Sequence, residues 1–203
     1  MSTAPKVEYG IKNVHYAVWT DPVGSTPGSY ATPVALPGAV SLSLEWDGDS
    51  NKFYADNIPY FTVSSNSGGS GSLEVARIDK AFKKAILGCI EDANQMIIDV
   101  ANATRPQFAL LFEVATDQDP IKFVLYNCTA KSPNRTDNTA TDSTDPDTIT
   151  VEFDYAVREF AYGTGTTIEA TMGALELDDT QTTGNKSEYD AFYSAVLEPE
   201  ASA

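Results

Sequence analysis

Two segments with strict period-two alternation constrain this chain more than any other feature. In residues 38–46, Val40, Leu42, Leu44 and Trp46 fall on one side, and Ala39, Ser41, Ser43 and Glu45 on the other. In residues 148–155, Ile149, Val151, Phe153 and Tyr155 alternate with Thr150, Glu152 and Asp154. Successive side chains of a strand point to opposite faces, so each segment predicts a strand with one buried and one wet face. Such strands suit an antiparallel sandwich or barrel. Two further runs, 108–114 and 121–128, are more fully apolar, and the turn-forming stretch 115–120 between them predicts a β-hairpin. Residues 14–19, 73–78 and 96–99 are additional strand candidates. The expected fold class is mainly β: an antiparallel β-sandwich or curled sheet with one flanking short helix and room for a short C-terminal helix.

Helix signals are few. Asp79 can cap a helix over residues 80–87, with Phe82, Ala85 and Ile86 on one stripe and Gly88 to end it. Ser187 can cap a second over residues 188–197, with Tyr189, Phe192, Tyr193 and Val196 as its apolar stripe and Pro199 as its stop. Three long segments lack either pattern: 21–37, 64–72 and 131–147. The second, rich in Ser and Gly, reads as flexible by composition. Long structureless segments in a compact domain are uncommon, and three of them predict parts that order against a partner.

At 203 residues the chain has the length of one domain, and its 42% hydrophobic content suffices for a core. No apolar run approaches the roughly 20 residues of a membrane helix. Residues 1–6 lack the apolar stretch of a secretory leader, so a soluble protein made in a cytoplasm is expected. Cys89 and Cys128 do not make a disulfide framework and are expected to stay reduced. The net charge is −16. Neither half carries a basic patch, which excludes tight phosphate binding; a surface this acidic repels nucleic acid.

The residues of catalysis are not arranged for it. His15 is the single histidine and sits in a strand candidate. Gly163-Thr164-Gly165 is a turn and not a phosphate loop, and Gly69-Ser70-Gly71-Ser72 is not preceded by a buried strand as a nucleophile elbow requires. Asp47-Gly48-Asp49-Ser50-Asn51 begins like a calcium loop, but its twelfth position is Ile58. The acidic residues of 137–147 and 176–179 read as solvated loops. No catalytic residue, metal ligand or cofactor is expected.

Several blocks, in order, resemble a known family: residues 52–57, 60–66 and 71–76, the short helix ending Ile86-Leu87-Gly88, then residues 108–113, 124–130 with Ser132-Pro133, and the strand 148–151. Over residues 7–160 they are similar to the major tail proteins, or tail tube subunits, of long-tailed bacteriophages of Gram-positive bacteria. The resemblance implies a structural protein and not an enzyme, with a tail-tube β domain over residues 1–160. Residues 161–203 would be a C-terminal extension packed on or decorating it. It implies rings, usually hexameric, whose sheets join edge to edge and stack into the conduit for genome ejection. Its partners would be further copies, the tape measure, initiator or distal tail, and terminator proteins. DNA would transit without specific binding, in a virion tail assembled in the host cytoplasm, with no membrane involved.

Within that frame Phe53, Tyr54, Ala55, Asp56, Asn57, Ile58, Pro59, Tyr60 and Phe61 are candidates for an inter-ring hairpin, against an ordinary internal hairpin. Ser41, Ser43, Glu45, Thr150, Glu152 and Asp154 are candidates for the lumen wall, against an outer solvent face. Other readings are a tail terminator or head decoration protein, which would form closed rings or caps, and a carbohydrate-binding β-sandwich module.

Overall fold

A computed structural model describes residues 7–55, 58–135, 147–178 and 184–201, with side chains described outside 49–66 and 135. The strands are β1 (Glu8–Thr20), β2 (Ser29–Tyr30), β3 (Val34–Ala35), β4 (Ala39–Ala55), β5 (Ile58–Val75), β6 (Ile90–Glu91), β7 (Ile97–Ile98), β8 (Phe108–Thr116) and β9 (Ile121–Ala130). They continue with β10 (Asn134–Arg135), β11 (Ile149–Ala156), β12 (Arg158–Ala161), β13 (Thr167–Ala170) and β14 (Met172–Leu175). The helices are α1 (Lys80–Ala85) and α2 (Lys186–Asp190). The main sheet is antiparallel in the order β2-β1-β8-β9-β11-β5-β4, with β3 on β1, β10 on β11 and β14 on β9; β6-β7 and β12-β13 are separate hairpins. The mainly-β antiparallel class expected from the alternation is the class observed, as is the β8–β9 hairpin.

The sheet curls around one core. Tyr16 from β1, Phe108, Leu110 and Phe112 from β8, Leu125 from β9, and Val151, Phe153 and Tyr155 from β11 all point into it. Helix α1 closes the open side with Phe82 and Ile86, and the Phe82 ring meets Tyr16 edge-on at 5.0 Å. The predicted cap is present: Asp79 accepts a hydrogen bond from the Phe82 amide at 2.7 Å, worth about 1 kcal/mol. Gly88 follows at φ +72°, a conformation that ends a helix without steric cost to glycine.

The Ser/Gly run departs from expectation. The paired backbone of β5 passes through it, and residues 68–75 lie between β4 and β11, in register with Trp46 and Tyr155 at Gly69 and with Leu44 and Phe153 at Gly71. A Cβ on Gly71 would sit 2.5 Å from the Phe153 ring, and one on Gly69 would sit 2.6 Å from the Tyr155 hydroxyl. The glycines are there because aromatic side chains of the neighbouring strand lie over them. Composition registers the glycines as flexibility and does not register the rings. The 21–37 segment is likewise tied down, by β2 and β3 on β1 and by buried Leu36. Of the 131–147 segment, residues 136–146 lie outside the described residues.

The C-terminal residues cover part of the sheet's outer face. Strand β14 pairs with β9 from Met172↔Leu125 to Leu175↔Lys122. Phe160 and Phe192 bury against Ala17, Ala109, Leu111, Val124 and Tyr126, all outward-facing on β1, β8 and β9. The apolar stripe read at 189–196 is correct, but its helix is shorter than expected. It runs Lys186–Asp190 with Asn185 at the cap position, and Ser187 lies inside it. The Tyr189 carbonyl accepts from Lys122 Nζ at 2.6 Å and, more weakly, from the Phe192 amide at 3.4 Å, a tighter turn than the helix it follows. That ammonium also lies 3.9 Å from the centre of the Tyr189 ring, a cation–π contact. Burial pushes Lys122 below the usual lysine range, opposed by the charge of Glu113.

Two predictions follow from this packing. Gly71→Ala should lower stability by about 1–3 kcal/mol through overpacking against Phe153. Gly10→Ala, where nothing lies within 4 Å of the added carbon, should change it by less than about 0.5 kcal/mol. Urea unfolding of both variants checks this. At alkaline pH the outward cluster should loosen, because burial pushes the hydroxyls of Tyr126 and Tyr189 up to about 12. A raised folded-state pKa gives stability that is fully present below 10 and is lost as pH rises toward 12. Lys122 acts with the opposite sign, its burial cost easing as pH approaches the ordinary 10.5. Tyrosinate absorbance followed together with near-ultraviolet dichroism should therefore show loss of tertiary signal above pH 10.

Candidate functional site

No described residue covers the other half of the outer face. Strands β4, β5 and β11 lie side by side, and their register aligns their outward residues in rows: Ser41–Glu74–Thr150, Ser43–Ser72–Glu152 and Glu45–Ser70–Asp154, the last extended by Thr129 of β9. The two polar faces read separately from the sequence, at 41–45 and 150–154, are thus brought together on one surface, with a third strand between them. Sequence reading missed the contribution of that strand. Its signal was present, since Ser70, Ser72 and Glu74 alternate with Gly71, Leu73 and Val75, but the glycines masked it.

The carboxylates are held to different degrees. Glu74 accepts from Thr148 Oγ1 at 2.5 Å and from Ser41 Oγ at 2.9 Å, and these bonds hold its carboxyl below the usual range. Glu152 accepts from Asn134 Nδ2 at 3.2 Å. Asp154 pairs with Lys131 Nζ at 2.7 Å. Glu45 has no side-chain partner among the described residues; its backbone carbonyl accepts from the Tyr155 hydroxyl at 2.9 Å. A shallow depression lined by Ser43, Glu45, Ser70, Ser72, Lys131 and Glu152 runs across the rows. Among the described residues no group of three His, Cys, Asp or Glu side chains could hold a metal ion. The surface offers fixed negative charge and hydroxyls spread along strands.

This face reaches an open edge. Residues 39–46 of β4 pair with β5 on one side, and no described strand pairs on the other. Trp46 on the core-side face of this edge remains 44% exposed, and Val40, at the irregular step between Ala39 and Ser41, 53%. Beyond the sheet, β4 and β5 continue as a two-stranded arm. β11 leaves β5 at Gly68, while β4 and β5 pair on from Gly48↔Asn66 to Ala55↔Ile58. At about 3.3 Å per residue the paired arm extends roughly 25 Å. Phe53, Tyr54, Ala55, Ile58, Pro59, Tyr60 and Phe61 are on its strands; Asp56 and Asn57 lie outside the described residues.

The described residues thus form a curled antiparallel sheet with a polar face and an open edge. Residues 28–166 match the family described as phage tail tube protein, and the chain belongs to that family. It is a structural protein of a phage tail tube, and its place is the virion. Two solved structures are similar to it. One is the tube-terminating cap of the anti-feeding prophage, 9% identical, covering 84% of this chain and 93% of that one with a TM-score of 0.47. The other is a chain of the anti-feeding prophage baseplate, 12% identical, covering 86% and 97% with a TM-score of 0.46. No curated protein matches the sequence.

Proposed function

We propose that six copies of the chain form a ring and that rings stack head to tail into the conduit for genome ejection. The observation that carries this reading is the set of aligned polar rows that run out to the open edge of β4. Strand addition at that edge continues the rows into a neighbouring copy. A barrel closed in this way places Ser41, Ser43, Glu45, Thr150, Glu152 and Asp154 on its lumen, together with Ser70, Ser72 and Glu74. A carboxylate lining repels phosphates, so duplex DNA slides without specific binding. The β4–β5 arm, residues 53–61 included, serves between rings. A ribbon paired only with itself is marginal in water and gains stability by lying against another ring, and a head-to-tail contact that does not close grows a filament. Residues 161–203 belong to the same folded unit as a packed extension. Besides further copies, the partners are the tape measure, initiator and terminator proteins of the tail, met in the host cytoplasm.

Electron microscopy of the protein across a concentration series should show hollow tubes with a regular axial repeat; rings that never stack would favour a terminator or decoration role. Glu45→Lys, Glu152→Lys and Asp154→Lys together should leave tails intact and slow DNA release, and unchanged release would remove the lumen assignment. Replacing residues 50–64 with Asn-Gly, a two-residue turn that suits the flanking pair Asp49↔Ser65, should keep the subunit folded and abolish tubes in sedimentation. Tubes formed by that variant would remove the inter-ring role of the arm.

A further inference from the structure

Among the described residues Lys131 stands on a face that is otherwise acidic or neutral, and it is the one cation among those lining the depression. Its ammonium lies 2.7 Å from Asp154 Oδ1. That hydrogen bond, with the charges of Asp154 and Glu152, holds it above the usual lysine range. The two side chains remain 48% and 57% exposed, and a pair this exposed adds little to folding stability. What the contact does is occupy the ammonium. A lysine ammonium is a compact donor that binds phosphate as a point charge. Left unpaired and repeated in every copy, Lys131 would set a row of phosphate contacts along the face.

We propose that Asp154 masks Lys131, keeping its ammonium from the phosphodiesters of DNA that passes over this face. The inference rests on the lumen reading and divides the labour of the wall. Glu45, without a side-chain partner among the described residues, supplies repulsion, whereas Asp154 cancels one particular cation.

The test compares virions built with Glu45→Gln, Asp154→Asn and the Lys131→Gln/Asp154→Asn double variant. Each single variant removes one carboxylate per copy, but only Asp154→Asn leaves Lys131 unpaired. DNA release is followed with an intercalating dye after triggering with purified receptor, at low and high salt. Asp154→Asn should release DNA about five-fold more slowly than Glu45→Gln at low salt, the scale of one exposed charge contact. The difference should vanish at high salt, where such contacts are screened, and the double variant should return to the Glu45→Gln rate. Equal rates for the two single variants, or a double variant as slow as Asp154→Asn, would overturn the mask. If the triple lysine variant still slows release in that case, the lumen reading stands and only the mask falls; if it too releases normally, both fall. Tails are counted by microscopy, and Asp154→Ser serves as a second variant. Failure of both to assemble would show Asp154 to be structural and overturn the proposal.

Discussion

The fit of Phe153 and Tyr155 over the glycines of β5 is the contact on which the rest of the sheet depends. It draws β5 against β11 and fixes their register. Because side chains alternate, a one-residue slip would send Glu152 and Asp154 into the core and the two rings into water. The same contact therefore determines the core and the polar face. Trp46 joins it from the far strand, its ring edge-on to Tyr155 at 5.2 Å.

Much of this was legible in the sequence. The alternation at 41–46 and 149–155 gave two of the three strands of the polar face and their outward residues, whereas a bulge before Ser41 reverses the expected sides of Ala39, which packs on the core, and Val40, which is exposed. The hairpin at 108–128 and the cap at Asp79 rest on local rules and were equally readable. The central strand was not, because its residues make sense only beside the partners they touch. Gly71 is a strand residue here since the Phe153 ring fills the space its side chain would have taken, and residue 153 is distant in sequence. The contact of the Tyr189 carbonyl with Lys122 of β9 was equally invisible, since the two residues are distant in sequence. Lys131 was unremarkable in the sequence, and its importance comes from the geometry that sets it against Asp154.

The outer face of the sheet is divided between two solvents. Over β1, β8 and β9 it is apolar and covered by the chain's own C-terminal residues, anchored by Phe192, by the β14 ladder and by Tyr126, whose hydroxyl donates to the Leu197 carbonyl at 3.0 Å. Over β11, β5 and β4 it is hydroxylic and anionic, and no described residue covers it. The boundary falls along β9, which pairs with β14 through its first half and with β11 through its second. A single strand thus belongs to both regimes, and between its two halves it carries one residue more than β8 opposite, in the step from Leu125 to Cys128.

The long reach of the central pairing also bears on how the chain folds. β1 finds β8 across a loop from His15 to Leu111, and β5 finds β11 from Gly71 to Phe153, whereas β4–β5 and β8–β9 are local hairpins. Non-local pairings close slowly, so β5 waits with one edge unsatisfied until β11 arrives. During that interval its Ser- and Gly-rich residues 64–72, low in hydrophobicity and in β-propensity, make a poor template for aggregation. The composition that fits two aromatic rings in the finished sheet is also what keeps the unfinished one soluble.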